Sequence, residues 1–525
     1  MEKNQKRIIV GGFLLCIIAF AFFVRKDTFW IAHSRGDQFH YITLAMKLDK
    51  LGFKYYNLRG VRIRYIHLLK NVRLVYVAPA SDPSEKGDLL KILDMFGIHY
   101  YDQPFFHKPP AFPYALLLSH KVFAKKNQPY VVVSSDFSLG KLLRKNKVSL
   151  FLEAQFYATI VPLFFSLGLI LITFFLGKLL FSSRVGLYAA FIMAINPVDI
   201  MSSQRIWADD MLSFFAILSV TVFVIAMKKN YRWLFFLAGV LCGIAVLTKQ
   251  TGGYLLIAIG IFSILVQAGR RELTWQQMIG CFLITIGVFS LSITLMKKIF
   301  NWVVIGKHLF LIIAGIFLFL GKSNQREKVK FLPSLFFNRE FVLFSLGTFL
   351  VCGFWFVKIY KVYGNPLWLP TQSHLLQEDI SGWFRVLKRR PPGWLLFPLG
   401  GIYLCPLFAL AGLSIKRLVI TAKEMLTTKN GNYNFLFLGI VILTFYFMVG
   451  PLKEHRYMLP VYPLIAILSG YYWDKFRQWL ARSNKFLRCL AEVIIIVLFI
   501  LCAFWSVSIG INVIREDKLL LRKPF

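Results

Sequence analysis

The sequence predicts an all-α polytopic membrane protein of about thirteen transmembrane helices, with a long first external loop carrying amphipathic helices. Three observations predict it. The 525 residues are 57% hydrophobic and 17% aromatic, with a mean hydropathy of +0.61. Apolar runs of roughly 20 residues, the length that crosses a bilayer, recur to the end of the chain. Lys and Arg gather in the short connections between those runs.

The runs lie near 8–24, 152–180, 186–202, 208–227, 233–248, 252–268, 278–296, 302–320, 341–359, 394–414, 434–451, 457–473 and 489–511. Lys3, Lys6 and Arg7 precede the first, Ile8 to Val24. Ala19-Phe20-Ala21 resembles a signal cleavage site, but the bulky Phe22-Phe23-Val24 continues the run, so an uncleaved first helix is expected. The basic clusters Arg184, Lys228-Lys229-Arg232, Arg270-Arg271, Lys322 to Arg339, Lys416 to Lys429 and Lys475 to Arg488 all fall on the side of the N-terminus, which is therefore cytoplasmic. The loop 25–150 is basic yet lands outside. Loops beyond roughly 60 residues escape the positive-inside rule, so it does not overturn the orientation. The chain 1–525 reads as a single transmembrane domain, with 25–150 as the catalytic loop and 360–393, rich in Pro and Trp, as a candidate lid.

Composition excludes several classes. The net charge of +37 sits in connections where orientation and anionic lipid account for it, and no nucleic-acid partner is expected. The seven Cys lie in or beside apolar runs with no C-x-x-C pair, which supports neither a disulfide framework nor a metal site. No N-x-S/T sequon occurs, which leans toward a bacterial source and hence the inner membrane.

The inner connections carry almost only Lys and Arg, whereas the outer ones mix acids, His, Trp and bases, so the working face is outside. Within the long loop, Tyr41, Leu44, Ala45, Leu48 and Leu51 recur at helical spacing after Asp37, placing that acid near the start of an amphipathic helix on the membrane. Ala115–Lys126 and Phe137–Val148 have the same mixed character. Transfer of a sugar from a polyisoprenyl phosphate to a hydroxyl needs a carboxylate for the proton and cations for the departing phosphate. Asp37 is the candidate base; Lys108, Arg205, Lys453 and Arg456 are candidate phosphate ligands. Gln38, Tyr41, His107, Asp209, Asp210, Lys249, His455 and Tyr457 are candidate cavity residues.

Each has a structural alternative. Asp37 suits a helix N-cap. His107-Lys108-Pro109-Pro110 suits an ordinary turn. Arg205 and Asp209 stand at i and i+4 and suit an ion pair capping a span. Lys453 and Arg456 suit snorkelling to headgroups, with His455 a solvated neighbour. No cluster has metal-ligand spacing, and no nucleophile elbow or phosphate-binding glycine loop occurs.

Taken together, the motifs resemble a family. Gly36-Asp37 followed by Tyr41, Ala45 and Leu48 is similar to the opening of the first external loop in GT-C glycosyltransferases, above all bacterial relatives of the dolichyl-phosphate-mannose protein mannosyltransferases and the lipid A aminoarabinose transferases. His107-Lys108-Pro109-Pro110-Ala111, Asn196-Pro197 with Ser203-Gln204-Arg205 and Asp209, Leu247-Thr248-Lys249, and Arg456 to Pro463 resemble further motifs of that family, in its order. The resemblance implies a transferase that is metal-independent or weakly metal-linked and holds no cofactor. Its donor would be a polyprenyl-phosphate (undecaprenyl-phosphate) sugar, and its acceptor a lipid such as lipid A, a cell-wall glycan or a protein. The sugar carbon would invert. Asp37 becomes the catalytic carboxylate, Lys108 and Arg456 donor-phosphate contacts, and Arg205 and Asp209 border the cavity. Where many relatives carry a second acid this chain has Gln38, so that role is lost or passes to Asp209, Asp210 or Glu378. A polyisoprenyl-lipid flippase and an inactive lipid-binding relative are the rival expectations.

Overall fold

The structure is a computed structural model that describes residues 3–26, 36–56, 61–68, 72–79, 98–100, 108–124, 145–270, a few positions between 280 and 291, 302–320, 338–364, 405–408, 455–482 and 485–522. Its body is helical, as expected. Helix α1 (Lys3–Arg25) carries Phe13, Leu15 and Phe23 exposed on its surface, as a helix facing hydrocarbon does.

The first external loop opens with α2 (Gly36–Leu51), which ends at Gly52. A φ of 73° there lets the chain reverse at no steric cost into a short 3₁₀ turn, Phe53–Tyr55. Three strands follow, β1 (Val61–Leu68), β2 (Val72–Pro79) and β3 (Ile98–Tyr100), forming an antiparallel sheet of order β2-β1-β3. This adds to the helices expected in the loop. The Val-Arg-Ile-Arg start of β1 alternates apolar and polar with period two, which is a strand signal and not a helical one. Helix α3 (Ala111–Phe123) begins directly after Pro109-Pro110.

Helix α4 (Lys145–Leu180) is longer than a bilayer needs, and its spanning part is Tyr157–Leu180. Of the interfacial helix expected at 137–148, Lys145–Val148 form the first turn of α4 and the rest lies outside the described residues. The run expected as one helix near 186–202 is two: α5 (Ser183–Ala194) and α6 (Pro197–Ser203), bent by 60°. Pro197 forces the break, since it has no N–H to give and disfavours helical backbone at Asn196; the Asn196 side chain then caps α6 by accepting from Val198 N at 2.9 Å.

Helices α7 (Asp209–Lys229), α8 (Arg232–Thr248), α9 (Tyr254–Arg270), α10 (Trp302–Leu320) and α11 (Arg339–Tyr363) follow near their expected positions. The run near 457–473 becomes a 3₁₀ turn, His455–Met458, and helix α12 (Tyr462–Leu480), because Pro460 cannot continue a helix. Helix α13 (Lys485–Arg522) closes the chain. Among the described residues five helices are long and apolar enough to cross a membrane, or six with the bent pair. The run near 434–451, most of those near 278–296 and 394–414, and the candidate lid beyond Gly364 lie outside the described residues.

Two apolar cores result. One fills the bundle, with Leu169, Ala189, Ile217, Phe223, Ala238 and Phe344 among its buried side chains. The second joins the loop to the bundle: Tyr41, Leu44, Ala45 and Leu48 of α2 and Phe112 and Leu116 of α3 pack with Met211, Val246 and Trp355. The face of α2 that the sequence marked as apolar thus lies on protein.

Candidate active site

Chain elements distant in sequence bring four cations together. The indole of Trp207 lies under two guanidinium groups, with Arg205 Cζ 4.8 Å and Arg456 Cζ 4.2 Å from the ring centroid. The Tyr457 ring takes the next cation: Lys249 Nζ sits 4.2 Å from its centroid, and Arg456 Nη2 donates to Tyr457 Oη at 3.3 Å. Such cation–π contacts hold charge in a site with little water at about 1–2 kcal/mol each. Lys249 Nζ also reaches Asp209 Oδ1 at 2.7 Å.

Helix ends position these groups. Asp209 opens α7, where a carboxylate meets the positive end of the helix dipole. Lys249 is the C-cap of α8, where the sign is reversed. The chain then doubles back through Gln250–Gly253, and a Cβ on Gly252 would stand 2.7 Å from the carbonyl of Ala245, so only glycine allows this close return. Burial holds the Lys249 ammonium below its usual range; the Asp209 carboxylate raises it, and the charges of Arg456 and Lys108 lower it further. The charge of Lys108 thus acts on the same lysine.

Lys108 is buried, and its Nζ lies 5.1 Å from the Tyr41 ring centroid. Its backbone is fixed by Tyr56, whose buried hydroxyl is shared between the carbonyl oxygens of Lys108 at 2.8 Å and Pro109 at 3.0 Å. Tyr56 packs edge-on against Trp355 of α11, and Lys358 Nζ donates to Phe53 O at 2.7 Å, so α11 carries this corner of the loop. Tyr41 stands one helical turn after Asp37 on α2. The acid therefore occupies the first turn of a helix that borders the cations; its side chain lies outside the described residues.

Of the expected residues, the structure brings together Lys108, Arg205, Asp209, Lys249, Arg456 and Tyr457, with Tyr41 alongside. Asp209 makes its ion pair with Lys249, not as the i, i+4 cap to Arg205 that spacing alone allowed. Gln38 is buried next to Asp37, its Oε1 meeting no donor among the described residues. Asp210 belongs to a different network: Ser202 Oγ donates to its Oδ2 at 2.8 Å. Lys453, His107 and the side chain of His455 lie outside the described residues. Trp207 was missed as a site residue although it stands between Arg205 and Asp209, because an indole inside an apolar stretch reads as core. Among the described residues no group of three His, Cys, Asp or Glu is placed to hold a metal.

Two family models and several solved structures resemble this chain. A family model described as dolichyl-phosphate-mannose-protein mannosyltransferase matches residues 141–296, and one described as Alg9-like mannosyltransferase matches 393–518. No curated protein sequence matches. Among solved structures, the oligosaccharyltransferase AglB of the archaeon Archaeoglobus fulgidus, in complex with an inhibitory peptide and a dolichol-phosphate, superposes with a TM-score of 0.50 at 13% identity over 96% of this chain. This chain has the GT-C fold. The apo form of the Archaeoglobus enzyme gives a TM-score of 0.50 at 12% identity over 97% of the chain. The GT-C chain spans 56% of the length of AglB in the first superposition and 57% in the second. ArnT of Cupriavidus metallidurans bound to undecaprenyl phosphate covers all of this chain, with 73% of its own length matched, at 12% identity and a TM-score of 0.47, too low to carry weight. Both family models that match the chain are described as mannosyltransferases.

Proposed function

We propose that this protein transfers one sugar from a polyprenyl-phosphate donor, undecaprenyl phosphate in a bacterial inner membrane, to an acceptor hydroxyl at the outer face. The observation that carries the reading is the convergence of Lys108, Arg205, Lys249 and Arg456 beside the helix that bears Asp37 in its first turn. Four cations against Asp209 make a place for an anion. A lipid-linked phosphate brings that anion to the membrane surface while its tail stays in hydrocarbon. The dolichol-phosphate held by the archaeal protein of the same fold is chemistry of this kind.

In this reaction the acceptor oxygen attacks the anomeric carbon from the face opposite the phosphate, and the configuration inverts. Asp37 takes the hydroxyl proton as the new bond forms. The bond from carbon to phosphate oxygen breaks, and polyprenyl phosphate leaves carrying the electron pair. Arg205 and Arg456 are suited to the developing phosphate charge because a guanidinium offers a fork of N–H donors. Preorganised cations in a site with little water stabilise that charge more than water would.

The test is transfer of label from a pool of radiolabelled polyprenyl-phosphate sugars to total membrane extract in nanodiscs, with the intact protein and Asp37→Asn side by side. Label should move with the intact protein and fall by at least about a hundredfold with the variant, the scale of lost general-base catalysis. Full activity in Asp37→Asn would end the assignment of the base. Lipid translocation by both proteins with no transfer would establish a flippase instead.

A further inference from the structure

A second charged network, outside the cation cluster, joins the two chain segments that flank the site. Arg25, the last residue of α1, is fully buried, and each of its five N–H groups meets an acceptor. Nε donates to Ser166 Oγ at 3.0 Å; Nη1 donates to Ala21 O at 3.0 Å and Ala194 O at 2.9 Å; Nη2 donates to Met193 O at 3.4 Å and to the Asp199 carboxylate. Ser166 Oγ donates to the same Asp199 Oδ2 at 2.7 Å. Asp199 is also fully buried.

The position of this pair is what gives it meaning. Met193 and Ala194 end α5, where Pro197 has broken the helix and left carbonyls without intrahelical donors. Arg25 donates to Ala194 O and, beside the Asn196 N–H at 3.2 Å, to Met193 O; it sets a cation on the negative end of α5, while Asp199 stands in the first turn of α6, the positive end. The pair therefore closes the 60° joint. A further bond runs beside it, from Gln204 Nε2 to Val24 O at 3.2 Å, and Gln204 adjoins Arg205. Ser202 then ties α6 to Asp210, the neighbour of Asp209.

We infer that Arg25 and Asp199 form a buried charge lock that positions the active site, fixing where the loop bearing Asp37 leaves the bundle and where α6 delivers Arg205, Trp207 and Asp209. This rests on the reading of those residues given under Proposed function. Arg25 is a positioning residue: it acts through the α5–α6 joint and, among the described residues, reaches the site by way of Gln204, Ser202 and Asp210. A buried ion pair matched in charge tolerates joint neutralisation better than loss of one partner, because a single change strands the other charge away from water.

The test uses the full chain in nanodiscs with undecaprenyl phosphate as the probe, measuring lipid-phosphate binding and thermal melting for Arg25→Gln, Asp199→Asn and the double variant. Each single variant should bind the lipid at least about tenfold more weakly, and the double variant should recover most of the affinity and of the melting temperature. Arg25→Lys covers the case in which a single neutral variant does not fold: it keeps the charge but loses the fork that reaches both Met193 and Ala194, and should fold yet bind several-fold more weakly. A double variant no better than the worse single one, or folded single variants and Arg25→Lys that bind like the parent, would overturn the lock. A parent that binds no lipid phosphate would sink the proposed function instead, and the lock is then decided by the melting cycle alone: recovery in the double variant upholds it, additive loss rejects it. Full transfer by Asp37→Asn removes the base and leaves the lock standing.

Discussion

Lys249 Nζ reaches Asp209 Oδ1 at 2.7 Å, joining the C-terminal end of α8 to the first turn of α7 beside the two guanidinium groups stacked on Trp207. The pair does more than hold two helices. Burial lowers the proton affinity of Lys249, and the Asp209 carboxylate opposes that shift.

The Asp209 carboxylate raises the Lys249 pKa, whereas burial, Arg456 and Lys108 lower it. Asp209→Asn removes the raising influence, so Lys249 loses its proton at lower pH. The alkaline limb of the transfer rate should therefore move to lower pH in Asp209→Asn. A pH profile of kcat/KM checks it, and an unmoved limb would show that Lys249 does not titrate in the working range.

Trp207 lies under both Arg205 and Arg456. Trp207→Leu should weaken donor-phosphate binding by roughly tenfold, the loss of two cation–π contacts of about 1 kcal/mol each offset in part by relaxation. Combined with Arg456→Ala it should cost less than the sum of the two changes, since the second removes a contact the first has already lost. Additive costs would mean the indole does not organise the guanidinium groups.

Tyr56→Phe leaves the carbonyl oxygens of Lys108 and Pro109 without their buried donor, at a cost of about 1–3 kcal/mol. Because those carbonyls belong to the turn that presents Lys108, KM for the donor should rise more than kcat falls. Steady-state kinetics beside a melting curve would separate this from a loss of stability alone.

Lys47, on α2, has its pKa lowered by burial to about 8. Below that value the folded chain carries a partly desolvated charge, and between pH 8 and the ordinary lysine value of 10.5 the unfolded chain binds more protons than the folded one. Stability should therefore rise with pH through that window. Lys47→Met should raise the melting temperature at pH 7, by the equivalent of about 1 kcal/mol after allowance for partial exposure, and gain nothing near pH 10.5. A gain that is the same at both pH values would assign the effect to packing.

Much of this architecture is legible in the chain. Apolar runs of spanning length must become helices in hydrocarbon, because no water is there to satisfy the backbone, and the helical spacing of Tyr41, Ala45 and Leu48 after Asp37 appears as α2. Lys108, Arg205, Lys249 and Arg456 each stand in a motif too short to be decisive singly, and the fold brings them together around the rings of Tyr41, Trp207 and Tyr457. The strands of the loop are less legible, because the alternation that marks β1 is short and lies in a loop whose other segments have helical spacing.

Sequence by itself determined the class, the approximate positions of most of the described helices and the residue types that can bind an anion, since those follow from local composition and periodicity. Only the tertiary structure decided which charges pair. Arg205 and Asp209 look like partners along the chain, yet Asp209 meets Lys249. Arg25 looks like the boundary of a span, yet it is buried against Asp199 and the broken end of α5. Pairing of buried charges depends on which helix ends face one another, and that geometry is set by packing between segments more than a hundred residues apart.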